Sequence, residues 1–313
     1  MTNEGRLAAI GIGSNSVRLL LADTGQGQFS AIERMETVTR LAAYRTAQSD
    51  RPLLTAEAIE NTLAAVDNFA HHAWERGARL VGVVATEAVR SAGNRRELTD
   101  GVEKALGIEV TVLDGEEEAR LGWQTVAAGY EPGAALAVID IGGASTGIAV
   151  GTGGSLDPDE AESIRIGGRT LGQSFHLDEP LGPGMLGSII GNLEAEWGRK
   201  AGAMRPTPEI CVVIGGTATV LAAARHNSLD GDSWTDAIAD RGWLGDWLER
   251  VAVLSRKGRE GAGVPAAYTD IIVGGGAILL VLLDAWGLGH FYVSERNILD
   301  GYIARNMPKR PLW

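Results

Sequence analysis

Apolar and polar positions first settle into a hairpin. Leu7–Ile12 is an apolar run, Gly13-Ser14-Asn15-Ser16 interrupts it with turn residues, and Val17–Ala22 is apolar again. Two short apolar runs about a glycine turn predict a β-hairpin. Phe29–Thr39 predicts a further strand. Over Leu54–Arg76 the period changes: Ile59, Leu63, Val66 and Trp74 recur near the helical repeat, and a helix is expected. Arg79–Ala85 reads as a buried strand, Asn94–Leu106 as a helix stopped by Gly107, and Ile108–Leu113 as a strand. Glu116–Tyr130 predicts a helix whose acidic opening suits the positive end of its dipole.

The pattern then restarts. Ala135–Ile141 predicts a strand, Gly142-Gly143-Ala144-Ser145 a turn, and Thr146–Val150 a strand. Sliding the first hairpin along until Leu7 meets Leu136 brings Ala8, Ile10, Ile12, Gly13 and Ser16 onto Ala137, Ile139, Ile141, Gly142 and Ser145, identical in type. Two copies at domain-sized spacing imply a duplicated domain. The expected domains are 1–130 and 131–313, with a terminal helix over about 297–308 packing back on the first. Ile210–Ile214 reads as a strand, followed by the turn Gly215-Gly216-Thr217 and the helix Ala218–Ala224. Asp270–Val273 reads the same way, with the turn Gly274–Gly276 and the helix Ala277–Trp286. Phe291–Ser294 predicts a strand and Asn297–Met307 a helix. Strands alternating with helices give mixed α/β domains.

Composition narrows the function. The chain has 313 residues, 45% hydrophobic and 22% charged, enough for two ordinary cores. Its net charge of −12 argues against a nucleic-acid binder, which needs a positive field. A pocket of backbone N–H groups still binds small anions inside an acidic protein. The single cysteine, Cys211, lies in an apolar run and fits a reducing cytoplasm. The start, MTNEGRL, lacks a basic-then-apolar leader pattern. The apolar run Ile271–Leu283 is short of the roughly 18 residues of a membrane span. A soluble, cytoplasmic protein without membrane partners is expected.

Four glycine-rich turns follow apolar strands, and successive N–H groups in such turns form anion nests, with hydroxyls adding donors. Asp140 ends a buried strand just before one of them. A carboxylate there holds Mg²⁺ against a phosphate or caps local N–H groups, and spacing alone does not choose. Glu116, Glu117 and Glu118 open a helix, where acids are favoured in any case. Arg18, Arg90 and Asn94 follow strands and either contact phosphate or face solvent. His71 and His72 lack a third ligand and read as surface residues. No P-loop or dinucleotide fingerprint occurs in context.

The motifs IGIGSNSVRLL (10–20), ATEAVRSAGN (85–94), LDGEEEARL (113–121), VIDIGGAST (138–146), IGGTATVL (214–221), DIIVGGGAIL (270–279) and VSERNILDG (293–301) follow in one order. Together they resemble the exopolyphosphatase / guanosine pentaphosphate phosphohydrolase family, in its short two-domain form, over nearly the whole chain. The resemblance implies two actin-like (RNase H-like, ASKHA) domains flanking a cleft that binds a phosphate chain and Mg²⁺. It implies Glu118 as the general base that activates water, Arg18 as a phosphate reader and Asp140 as the metal-associated aspartate. Phosphate would be held by Gly13, Ser14, Asn15, Ser16, Arg18, Arg90, Gly142, Gly143, Ala144, Ser145, Thr146, Gly215, Gly216 and Thr217. Polyphosphate or guanosine pentaphosphate is the expected ligand, and a homodimer the expected assembly.

The chain also departs from that pattern. Gly11 stands where the first hairpin of the family carries Asp, and in the internal repeat Gly11 falls on Asp140. Ala144 replaces a glycine, Gly147 a glutamate, and Tyr268-Thr269-Asp270 an Arg-Ala-Asp motif. Ser228–Val251 lacks a His-Gly motif. Two carboxylates expected near Mg²⁺ are therefore missing. The leading expectation is a Mg²⁺-dependent hydrolase of terminal phosphates. A paralogue that binds polyphosphate or the alarmone nucleotide without turnover is the alternative, and an actin-like ATPase or sugar kinase a third.

Overall fold

Strand periodicity organises each half of the chain. In the computed structural model, residues 5–25, 28–42, 45–46, 51–226 and 237–307 are described. The first four residues of the leader reading, the start of the Ser228–Val251 segment, and residue 308 of the expected terminal helix lie outside them.

The first unit opens with β1 (Gly5–Ile12), β2 (Ser16–Gly25) and β3 (Gln28–Val38), an antiparallel meander. Short strands β4 (Arg45–Thr46) and β5 (Leu53–Leu54) precede helix α1 (Ala56–Glu75). Thr55 caps α1, its Oγ1 accepting from the Ala58 amide at 3.2 Å. Then come β6 (Ala78–Ala85), α2 (Glu87–Arg90), α3 (Arg95–Leu106) and β7 (Val110–Val112). Gly107 ends α3 at φ 67°, the left-handed stop that glycine adopts without strain. The sheet runs β3-β2-β1-β6-β7, with β6 and β7 parallel to β1.

The second unit begins with α4 (Gly115–Val126) and the meander β8 (Ala135–Ile141), β9 (Thr146–Thr152) and β10 (Glu160–Ile164). Helices α5 (Gly168–Phe175), α6 (Met185–Leu193) and α7 (Arg199–Ala203) lead to β11 (Ile210–Ile214). Helix α8 (Gly215–His226), edge strand β12 (Ala237–Asp240), helices α9 (Arg241–Ala252), α10 (Arg256–Gly261) and α11 (Ile272–Trp286), and β13 (His290–Val293) complete it. Its sheet runs β10-β9-β8-β11-β13-β12. The first five strands repeat the order and sense of the first unit's sheet, as the internal repeat implies.

Strand alternation explains the two layers over the second sheet. Ala137, Ile139 and Ile141 of β8 join the large core built with α5, α9 and α11. Leu136 and Val138 face the other way, into a cluster with Ala119, Trp123 and Val126 of α4. Since α4 packs on that face, it belongs with the second unit, and the first unit ends at Asp114, not at residue 130. The last helix, α12 (Ile298–Asn306), belongs to the first unit and lies over β1 and β2.

Two sequence expectations are corrected. Gly215, Gly216 and Thr217 are the first residues of α8, not a turn before it. No strand forms over 270–273, and α11 runs straight through Gly274–Gly276. A short apolar run looks alike as a strand and as a buried helix. The glycines there serve close packing: a Cβ on Gly274 would stand 2.5 Å from the Gly168 carbonyl oxygen of α5. Among the described residues no helix is long and apolar enough to cross a membrane.

Candidate active site

The first unit's turn is held from behind. The Asn15 carbonyl accepts from the Thr39 and Arg40 amides at 3.1 and 2.8 Å, and the Ser14 carbonyl from Ala42 at 2.8 Å. These bonds, with Gly13 N–H donating to the Ser16 carbonyl at 2.9 Å, fix the 13–16 turn against the segment 39–42. Arg18 lies opposite Glu36 in the β2–β3 ladder. Its Nε and Nη2 donate to Glu36 Oε1 at 3.3 and 3.2 Å, and Ser16 Oγ donates to the same oxygen at 2.5 Å. Arg90 is turned into its own unit: Nη2 and Nε donate to Glu87 Oε2 at 2.6 and 3.1 Å, and Nη1 to the Leu113 carbonyl at 2.7 Å. Asn94 bridges both backbone groups of Leu54 and is scaffold.

The second unit's turn is held by a helix. The first amides of α5 do the work: Gly168 donates to the Gly142 carbonyl at 3.0 Å, and Arg169 and Thr170 to the Gly143 carbonyl at 2.9 and 3.0 Å. A Cβ on Gly167 would stand 2.6 Å from both the Gly142 carbonyl oxygen and the Ala144 nitrogen, so only glycine lets α5 approach this closely. Behind this contact Arg169 Nη1 pairs with Asp270 Oδ2 at 2.5 Å, both side chains almost fully buried. Arg259, fully buried, donates to the carbonyls of Leu177, Val251 and Thr269 and so locks the segment leading into Asp270. Desolvation holds the Arg259 guanidinium below its ordinary pKa, although nearby Asp178 and Asp270 oppose the shift.

Two of the predicted phosphate ligands donate their hydroxyls to the second unit's own backbone. Thr146 is fully buried and donates to the Ile166 carbonyl at 2.7 Å. Thr217 donates to the Ile141 carbonyl at 2.8 Å, tying the start of α8 to the end of β8. Tyr268, where the family pattern has an arginine, is packed into the second unit's core.

Asp140 lies on the face of the second sheet that α4, the helix carrying Glu118, covers. Asp140 continues the Leu136, Val138 row that faces α4, and it pairs with Gly147 across the β8–β9 ladder. Ala119 of α4 lies against Gly147: a Cβ there would be 3.6 Å from the Ala119 Cα. Glu118, half-buried in the first turn of α4, is the next residue. Asp140 also abuts Gly215, whose φ of 82° opens α8 and whose added Cβ would overlap Asp140 Oδ1. The carboxylate therefore stands at a helix N-terminus, which favours its charge.

A resident Mg²⁺ does not fit these residues. Gly147 faces Asp140 where a second carboxylate would stand. In the first unit the place of a Gly11 side chain is filled, because a Cβ would meet Leu299 Cδ2 at 3.1 Å. Among the described residues no group of three or more His, Cys, Asp or Glu side chains is placed to hold a metal.

Two units of one strand order, each with a glycine turn after its first strand, define an actin-like, ASKHA-type α/β protein. The chain belongs to the Ppx/GppA phosphatase family, whose model matches residues 20–310; the chemistry of that class is hydrolysis of phosphoanhydride bonds. It is 29% identical over 309 residues to exopolyphosphatase 1 of Mycobacterium tuberculosis, covering 96% of this chain and 88% of that protein. The PPX-GPPA enzyme of Aquifex aeolicus has 27% identity and a TM-score of 0.81, over 96% of this chain and 99% of that one. An exopolyphosphatase from Cytophaga hutchinsonii has a TM-score of 0.84 at 22% identity, over 95% and 96%, and shows likeness of fold.

Proposed function

We propose that this chain hydrolyses the terminal phosphoanhydride bond of inorganic polyphosphate, with guanosine pentaphosphate as a second substrate of the same chemistry. The observation that carries the reading is that α4, whose first turn holds Glu118, covers the sheet face on which Asp140 lies, within one unit. In this reading Glu118 takes a proton from water, and the water oxygen attacks the terminal phosphorus. The bond to the bridging oxygen breaks, its electron pair stays with the shortened chain, and inorganic phosphate leaves. Amides of the turn and the N-terminus of α8 offset the charge that develops on the phosphoryl oxygens. Arg18 and the 13–16 turn hold a phosphate of the chain.

Mg²⁺ is proposed to arrive as a counter-ion of the phosphate chain, with Asp140 as the one protein carboxylate beside it; Mg²⁺ commonly binds through one or two carboxylates plus substrate phosphates. The proposed setting is the cytoplasm, and the proposed assembly a homodimer.

A second reading is a binder of polyphosphate or guanosine pentaphosphate with little turnover. Gly11 under Leu299, Gly147 opposite Asp140, and the buried Tyr268 favour it. An actin-like kinase shares the fold, and fold alone does not fix function; transfer of phosphate from ATP to a small acceptor would favour it instead.

The test is phosphate release from long-chain polyphosphate and from guanosine pentaphosphate, with Mg²⁺, by the wild type and Glu118→Gln. Release that disappears in the variant supports the hydrolase. No release from either protein, with ligand binding by calorimetry, supports the binder.

A further inference from the structure

The first unit carries a carboxylate, Glu36, beside the 13–16 turn. Strand register puts Gly11, Arg18 and Glu36 in one row across β1, β2 and β3. Period-two alternation brings Ser16 onto the same face as Arg18. Three hydrogen bonds converge on one oxygen: Ser16 Oγ at 2.5 Å, Arg18 Nη2 at 3.2 Å and Arg18 Nε at 3.3 Å from Glu36 Oε1. A guanidinium edge and a hydroxyl converging on one anionic oxygen is also how a phosphate oxygen is bound. Ser16 is buried, while the Arg18 and Glu36 side chains keep 28% and 34% exposure, so the pair is open to exchange with solvent anions.

We propose that Glu36 is an internal competitor for phosphate at this turn. It takes the donors that a phosphate of the ligand would take, and so weakens the turn's hold on every phosphate, inorganic phosphate included. This rests on the reading of the 13–16 turn and Arg18 as a phosphate site. The consequence suits a processive or repeating reaction, since a site that held inorganic phosphate strongly would be blocked by it. A partly exposed ion pair restrains its partners only modestly, so the competition is one that a multiply charged chain overcomes.

The experiment is calorimetric titration of the full chain with inorganic phosphate and with long-chain polyphosphate, for the wild type, Glu36→Gln, Glu36→Ala, Arg18→Ala and the double variant Arg18→Ala/Glu36→Gln. Glu36→Gln keeps an acceptor but removes the charge, and Glu36→Ala removes both. Both are expected to bind each probe about three- to fivefold more tightly, with melting temperatures within about 2 °C of wild type. Arg18→Ala binds more weakly, and adding Glu36→Gln to it changes nothing further. If either Glu36 variant loses affinity as Arg18→Ala does, Glu36 orients the arginine for phosphate and the proposal is overturned. Unchanged affinity in both also overturns it, as does failure of every protein to bind. Phosphate release is scored in the same samples. Release by the wild type with unaltered binding in the variants removes only the role of Glu36. Tightened binding without release removes only the hydrolase.

Discussion

Breaking the buried pair between Arg169 and Asp270 should unsettle the second unit's phosphate turn from a distance. Arg169 Nη1 and Asp270 Oδ2 are 2.5 Å apart, with the side chains 4% and 12% exposed. Removing one member leaves a buried charge without its counter-ion, which costs about 3–5 kcal/mol, whereas replacing both by apolar groups is often neutral. For a unit of this size each kcal/mol moves the melting temperature by about 2–4 °C. Arg169→Met and Asp270→Leu are therefore each expected to melt at least about 6 °C below wild type. The double variant should recover most of that loss, so that the coupling energy exceeds either single loss of about 3–5 kcal/mol. The pair's second effect is on the ligand. The amides of Gly168, Arg169 and Thr170 fix the Gly142 and Gly143 carbonyls, so a loosened α5 frees the turn to rotate. The single variants, assayed well below their melting points, should show a raised KM for polyphosphate with kcat changed less. Single variants melting within 2 °C of wild type, or a double variant as unstable as the sum of the two, would refute the reasoning.

Glu118→Gln should lower phosphate release by about 10²–10⁴-fold with an unchanged melting temperature, because general-base catalysis contributes on that scale; release within threefold of wild type would remove the base assignment. Gly215→Ala places a side chain at φ 82° and against Asp140 Oδ1; a loss of about 1–2 kcal/mol in urea melts is expected for the backbone alone, with activity falling further as the carboxylate is displaced. Gly147→Glu restores a carboxylate opposite Asp140, and its Cβ meets Ala119 atoms at ordinary contact distances of 3.6 Å; Mg²⁺-dependent release should rise, on the order of the 10–100-fold that neighbouring groups contribute to metal sites, and an unchanged rate would count against Asp140 as the metal-facing group. Burial raises the Cys211 thiol above its ordinary 9.0, so the folded state keeps that proton where the unfolded state has lost it. The resulting stability is complete below that value and falls as pH rises above it, a slope that urea melts of Cys211→Ala should lack.

Sequence periodicity made the duplicated meander legible, because each hairpin strand is buried on both faces around a glycine turn. Ile10, Ile12, Ile139 and Ile141 mark the same ladder positions in both units. The boundary was misplaced because α4 looks like the last helix of the first unit, although Trp123 and Val126 bury against Leu136 and Val138 of the second. The segment 270–276 differs from the strand and turn expected there for another reason. Its helix is apolar on every side, so it shows no helical period, and its glycines mark close packing on α5 and not a turn. The site was half legible. Glu118 and Asp140 follow from motif order, but the groups that engage Arg18, Arg90 and Arg169 are strand-partner and long-range contacts with no signature in spacing. Glu36 alone had a signal: in an antiparallel hairpin it is the residue that register places opposite Arg18.

The two units keep one backbone device and divide its chemistry. In each, the carbonyls of the glycine turn are engaged from behind, by residues 39–42 in the first unit and by α5 in the second. In each, a helix opening with acidic residues covers the face at the end of the first strand. Over the first sheet that helix is α12, and its Asp300 is 2% exposed and held bidentately by Arg34 at 2.6 and 2.9 Å. A carboxylate held by both oxygens in this way is scaffold. Over the second sheet the helix is α4, and Glu118 stays half-buried beside the Asp140 row. The cross-strand rows diverge in the same sense. Gly11, Arg18 and Glu36 in the first unit correspond to Asp140, Gly147 and Ser163 in the second. One row presents a cation with its own counter-ion, suited to holding a phosphate reversibly. The other presents an aspartate next to the helix that carries Glu118. In the proposed hydrolase, substitutions in the two rows should separate, those at Arg18 and Glu36 moving KM and those at Glu118 and Asp140 moving kcat.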